Sequence, residues 1–290
     1  MVIERALEKL KKTNTEGSDP LAAAMRHTAT ATRRREAARS DAPRVVKPIF
    51  PRLDYDPNTA ALNRVLVPHS PVEDDAHADA AYRMLRTRVL HRLRAKQWST
   101  LAITSPGAGE GKSVTSINLA VNLARDNSCD VFLLDLDMRN PSICRYLGVR
   151  PPNELISYFA GQCEAQEALF SIGLENLAIA GSVAGTGNAS ELVANDRLEE
   201  MIDYIKSIAP NPVILIDLPP VLVTDEALLV APRVDATLLV VSEGKTRRDS
   251  LQKANQLLAD FAIAGVVLNR SGETVGKNTY YYAYGNTPKT

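Results

Sequence analysis

The chain has 290 residues, enough for one large α/β domain with extensions, and its 34 basic residues balance 34 acidic ones. Such neutrality gives no global pull toward nucleic acid, and no apolar run approaches the roughly 18–20 residues of a membrane span or reads as a signal peptide. Cys129, Cys144 and Cys163 are odd in number and far apart, and the four His residues are scattered. Neither a disulfide framework nor a zinc site is suggested, and a soluble cytoplasmic protein is expected.

Residues 2–12 place Val2, Ile3, Ala6, Leu7 and Leu10 at helical spacing, a short helix that needs a partner surface. Residues 1–52 carry twelve Lys/Arg against six Asp/Glu, including Arg33, Arg34 and Arg35. From Thr13 to about Arg52 no period is sustained, so the stretch reads as a basic linker without stable structure. Pro43, Pro48, Pro51, Pro57, Pro68 and Pro71 then punctuate an extended segment. The expected division is an N-terminal extension over 1–72, an α/β domain over 73–270 and a tail over 271–290. The α/β domain opens with a helix over 73–95, acidic at Glu73, Asp74 and Asp75, with Tyr82, Leu85, Val89 and Leu93 along one face.

Ser99 to Ile103 is a short apolar strand, and Val114 to Arg125 reads as a helix. Between them lies the glycine-rich turn Thr104 to Ser113. Strand, such a turn, Lys-Ser and helix is the P-loop arrangement. Gly107, Gly109 and Gly111, with Ala108, Glu110 and Val114 between and after them, let backbone N–H groups point inward at a helix N-terminus. Lys112 is expected on the β/γ-phosphates of ATP and the Ser113 hydroxyl on Mg²⁺. The first Gly of the usual spacing is replaced by Pro106.

Further apolar strands are expected at 130–137, 176–180, 213–217, 235–241 and 263–268, with helices over 190–208 and 246–261. Alternating strands and helices imply a mostly parallel sheet covered on both faces, with ligands beyond the carboxyl ends of the strands. Asp217 closes one strand, a position suited to holding Mg²⁺. Asp135 and Asp137 stand two apart, which on a strand puts both on one face. There they repel unless a cation lies between them or one serves as a base. Asn269 and Arg270, after the last strand, are candidate adenine contacts.

Four of the nine tyrosines, Tyr280, Tyr281, Tyr282 and Tyr284, lie in the polar C-terminal tail. Phenol hydroxyls are natural phosphoryl acceptors. The eleven residues from Asn269 to Tyr280 reach at most about 36–40 Å.

Together these residues resemble the bacterial tyrosine kinases, cytoplasmic ATP-binding proteins of capsule and exopolysaccharide assembly, over roughly residues 73–290. Ser105–Ser113 looks like their Walker A, Leu133–Arg139 like their Walker A′, and Ile214–Pro220 like their Walker B. The soluble form with a long N-terminal extension is similar to the autokinases of exosortase-linked loci. The resemblance implies Mg²⁺-ATP as cofactor, Asp137 and Asp217 at the metal, Asp135 acting on the tyrosine hydroxyl and Arg139 fixing the site. It also implies transfer to a neighbouring subunit's tail in a homo-oligomer, a separate membrane polysaccharide co-polymerase as activator that recruits the protein to the inner membrane face, and a phosphotyrosine phosphatase. The family's ring contact uses a Glu-x-x-Arg-x-x-Arg helix; Arg83 and Arg86 match it, and Ala80 replaces its Glu. Two rival readings stay open at this point. One is a partition or cell-division ATPase of the same fold, the other a nucleotide-gated scaffold of a secretion machinery without catalysis.

Overall fold

The computed structural model describes residues 48–68 and 76–272. The helix expected over 2–12, the acidic start at 73–75 and the four tail tyrosines lie outside these residues.

Six strands form one parallel sheet in the order β3-β2-β4-β1-β5-β6. They are β1 Thr100–Thr104, β2 Asp130–Asp135, β3 Leu177–Ala180, β4 Pro212–Asp217, β5 Ala236–Ser242 and β6 Ile263–Asn269. β1, β2 and β5 are buried along their whole length, as their unbroken apolar runs require in a sheet covered on both faces. One face carries α1 Pro57–Leu62, α2 Ala76–Lys96, α3 Lys112–Arg125 and α4 Ile143–Leu147. The other carries α5 Leu155–Phe159, α6 Ala189–Val193, α7 Arg197–Ile208, α8 Glu226–Val230 and α9 Arg248–Leu257. Because α3 leaves β1 toward one face and α8 follows β4 on the other, a crevice opens between the carboxyl ends of these adjacent strands.

Two expectations are corrected. The single helix read over 190–208 is two, α6 and α7, parted at Ala194–Asp196, where the Asn195 side chain accepts from Arg197 N at 3.0 Å. Asn and Asp compete with helical bonding in this way. Strand β2 ends at Asp135, so Asp137 lies in the following turn and the alternation of a strand does not reach it. Residues 51–67 pack against the elements of the α/β domain. Val65, Leu66 and Val67 are at most 2% exposed. Leu66 N donates to Asn118 Oδ1 at 2.7 Å, and Asn118 Nδ2 donates to Arg64 O at 3.0 Å, strapping this segment to α3. Upstream, Leu53 N donates to Ser171 O and Ser171 N to Pro51 O, 2.8 Å each.

Helix α2 packs on the same face through Val89, Leu90 and Leu93. Among the described residues no helix is long and apolar enough to cross a membrane.

Candidate active site

The parallel register fixes the first elements of the site. Asp135 on β2 pairs level with Asp217 on β4, and Asp217 level with Ile103 on β1, one residue before the P-loop begins. Residues level in neighbouring strands share a face, so both carboxylates point toward the start of α3. The P-loop then turns the chain into that helix. Gly109 and Gly111 adopt φ of +70° and +93°, which side chains rarely tolerate. A Cβ on Gly111 would lie 2.0 Å from Asn269 Nδ2, which donates to Glu110 O at 2.9 Å. Lys245, from the loop after β5, donates to Gly109 O at 3.1 Å.

At the start of α3 the polar groups converge. Lys112 Nζ lies 2.8 Å from Asp137 Oδ2, 3.3 Å from Asp217 Oδ2 and 3.1 Å from Ser113 Oγ. Ser113 Oγ donates to Asp217 Oδ2 at 2.5 Å, and Ser116 Oγ, one turn on, to Asp217 Oδ1 at 3.0 Å. Asp217 is fully buried, Asp137 5% exposed and Lys112 8%. Burial disfavours the lysine's charge, but Asp217, Asp137 and Asp135 together hold its pKa above the ordinary value. This ammonium joins Asp137 to Asp217.

Asp135 has a different set of partners. Its Oδ2 accepts from Ser142 N and Ile143 N, 2.9 Å each, at the start of α4, and its Oδ1 accepts from Asp137 N at 3.3 Å. Burial and the negative charge of Asp217 push its pKa up to about 7, against the pull of Lys112 and these N–H donors. A carboxyl poised near neutrality can accept a proton at physiological pH. Burial likewise raises Asp217, opposed by Lys112 and Ser113.

The crevice is a cleft of about 300 Å³ lined by Ala108, Gly109, Gly111, Lys112, Ser113 and Val114 on one side. Asp137, Arg139, Arg145, Tyr146, Pro219, Pro220, Thr224 and Arg270 are among the residues opposite. Six of the P-loop residues named from sequence, with Asp137, Arg139 and Arg270, are thus brought together here, while Gly107, Glu110, Asp135 and Asp217 do not line the cleft itself. Asn269 braces the P-loop with its side chain, and Glu110, 4% exposed, supplies the carbonyl it binds. Arg139 donates to Glu226 Oε1 at 2.5 Å and to Ser190 Oγ at 3.0 Å. Arg83 and Arg86 sit apart from the cleft on α2, pairing with Asp79 at 3.1 Å and Asp126 at 3.6 Å. The last described residue, Gly272, donates its N–H to Glu243 Oε2 at 2.7 Å, and Glu243 N donates to Asn269 O at 3.0 Å. The tail therefore begins beside the P-loop.

Sequence reasoning passed over Ser116, Lys245, Ser190 and Glu226. Ser116 carried a legible signal, three residues beyond Ser113 on a helix and so on the same side. The other three reach the site only through tertiary contacts.

Oxygen donors from Ser113, Asp137 and Asp217, gathered with a lysine beside a glycine-rich loop, suit a hard cation held partly by phosphates. Among the described residues no cluster of three or more His, Cys, Asp or Glu forms a metal cage.

The model of the CobQ/CobB/MinD/ParA nucleotide binding domain matches residues 101–284. Tyrosine-protein kinase CpsD of Streptococcus pneumoniae serotype 4 is 30% identical over 206 residues, covering 69% of this chain and 87% of that protein. Tyrosine-protein kinase YwqD of Bacillus subtilis is 28% identical over 206 residues, covering 70% and 85%. Among solved structures, the VpsO kinase domain superposes with a TM-score of 0.60 at 25% identity, covering 69% of this chain and 98% of that one. The cell division ATPase MinD of Pyrococcus furiosus gives 0.52 at 26%, covering 60% and 72%. Domain match, kinase relatives and cleft agree: the chain belongs to the CobQ/CobB/MinD/ParA nucleotide-binding family and, within it, to the bacterial tyrosine-protein kinases.

Proposed function

We propose that the protein transfers the γ-phosphoryl group of ATP to tyrosine hydroxyls of its own C-terminal cluster, Tyr280, Tyr281, Tyr282 and Tyr284, in trans between subunits. The observation that carries this reading is the buried group of Lys112, Ser113, Asp137 and Asp217 at the crevice, with the near-neutral Asp135 beside it.

The P-loop N–H groups from Gly107 to Val114 bind the phosphates, and the ammonium of Lys112 exchanges its carboxylate partners for phosphate oxygens. Ser113, Asp137 and Asp217 would hold Mg²⁺, which would supply positive charge against the phosphates. Asp135 accepts the proton of the incoming phenol, whose oxygen bonds to phosphorus as the bond to the β-phosphate oxygen breaks. Arg139 offers N–H donors to charge developing on the transferred group. Asn269 and Arg270 flank the nucleotide from the start of the tail.

Exopolysaccharide or capsule export is the process we assign to this activity. A membrane co-polymerase acts as activator and recruits the protein to the inner membrane face, a phosphotyrosine phosphatase resets the tail, and Arg83 and Arg86 serve subunit contact. The domain division that accompanies this reading is an extension over 1–47, a kinase domain from 48 to 270 and the tail over 271–290.

Incubation of purified full-length protein with Mg²⁺-ATP, followed by phosphopeptide mapping, tests the reading. Phosphotyrosine confined to 280–284, abolished by Lys112→Met, supports it, and replacing all four tail tyrosines by Phe should remove the label but keep nucleotide binding. ATP hydrolysis with an unlabelled tail, even with the membrane activator added, would instead favour a MinD-like spatial regulator. Nucleotide binding without turnover would favour a scaffold.

A further inference from the structure

Arg139, Ser190 and Glu226 are far apart in the chain and meet at the wall of the cleft. Glu226 opens α8 and Ser190 lies in α6; both short helices are pinned in the core by Ala189, Val193, Ala227 and Val230. Glu226 is fully buried, whereas the Arg139 side chain it pairs with is 43% exposed. Burying a carboxylate costs several kcal/mol, and one partly solvated arginine returns little of this as stability. Apolar packing at position 226 would serve the core as well. What the carboxylate supplies instead is direction.

Glu226 Oε1 takes the Nε–H of Arg139, and Ser190 Oγ takes one Nη2–H. The serine hydroxyl in turn lies 2.8 Å from Asp225 Oδ1 and 3.1 Å from Glu226 Oε1, and gives its one proton to either. Two donors on one edge of a planar fork are thus fixed, so the guanidinium cannot turn about its last bond. Of five N–H donors three remain, on a residue that lines the cleft with Lys112 and Asp137.

We infer that Glu226, assisted by Ser190, is a positioning residue for phosphoryl transfer: it holds Arg139 aimed into the nucleotide cleft before substrate arrives. Preorganised donors of this kind accelerate transfer because they need no reorientation in the transition state. The inference rests on the role proposed above for Arg139.

The test uses the full chain with Glu226→Gln, Ser190→Ala, Arg139→Ala and the double variant Arg139→Ala/Glu226→Gln. Single-turnover transfer at saturating Mg²⁺-ATP is read beside the Kd for a fluorescent ATP analogue and solvent exchange of the Arg139 Nε–H by NMR. Glu226→Gln is expected to slow transfer about tenfold and change the Kd by less than about threefold. It should also make the Nε–H exchange fast, and the double variant should be no slower than Arg139→Ala alone. Ser190→Ala should move each readout the same way by less. Should Glu226→Gln fail to fold, Ser190→Ala, a neutral change at a half-buried position, carries the same cycle with Arg139→Ala. Additive losses in the cycle, or a Kd loss as large as the rate loss, overturn the inference while leaving Arg139's own role standing. Full-rate transfer by Arg139→Ala overturns both.

Discussion

Replacing Asp135 by Asn separates the charge of this carboxyl from its hydrogen bonds. The side chain is 1% exposed and accepts from Ser142 N, Ile143 N and Asp137 N. An amide with its oxygen toward α4 keeps the two bonds of 2.9 Å and loses the one of 3.3 Å. What disappears is a group whose pKa burial and Asp217 lift from 3.8 to about 7. Since the folded value lies above the unfolded one, the native state keeps a proton that the unfolded chain has released. Stability is therefore highest below the unfolded value and falls as pH rises toward the folded one, at ~1.4 kcal/mol per pH unit. Between about pH 5 and pH 7 the integrated loss from this carboxyl is ~2 kcal/mol. Urea unfolding of both proteins across this range, with chelator present, should show Asp135→Asn gaining that amount on the unchanged chain by the upper end. Parallel pH profiles would refute the reasoning, because they would mean that Asp135 ionises in the fold as easily as in water. The same variant should still bind ATP but form no phosphotyrosine.

Three further outcomes are expected. Gly111→Ala puts a Cβ where φ is +93° and Asn269 Nδ2 would lie 2.0 Å away; a fluorescent ATP analogue should bind at least about tenfold more weakly, and unaltered affinity counts against the P-loop geometry. Asn118→Leu strips buried partners from Leu66 N and Arg64 O and should cost ~2–3 kcal/mol in urea unfolding; an unchanged midpoint means the strap does not hold the domain. Lys112→Met leaves Asp137 and Asp217 without their cation. Because the lysine's folded pKa is raised, its stabilisation is present below the unfolded lysine value. The variant should lose ~3 kcal/mol or more at neutral pH and recover part of it as the buried carboxylates take up protons in acid. A penalty that does not vary with pH would contradict this.

The sheet was largely legible because each central strand is an unbroken apolar run closed by a carboxylate or a glycine turn, a pattern few other elements share. Its order was not, since nothing in the local spacing says that β4 slips between β1 and β2. The site was legible where its residues are neighbours in sequence, as in the P-loop and around Asp135–Arg139. Glu226 and Ser190 were not, because 87 and 51 residues separate them from Arg139. Treating Asp135 and Asp137 as strand neighbours failed for a local reason. Asp135 closes β2, and its carboxylate caps the N–H groups of α4, which turns the chain and frees Asp137 to meet Lys112. The segment around Val65–Val67 escaped notice because three apolar residues between prolines are too few to display a period.

That segment sets the smallest piece of the chain able to fold by itself. A recombinant fragment cut at residue 73 would retain every nucleotide motif, yet it would uncover Asn118 in the middle of α3 and open the apolar groove that Val65 and Val67 fill. The helix whose first turn carries Lys112 and Ser113 would lose its outer wall. Anyone trimming this kinase for crystallisation or assay should start upstream of Phe50.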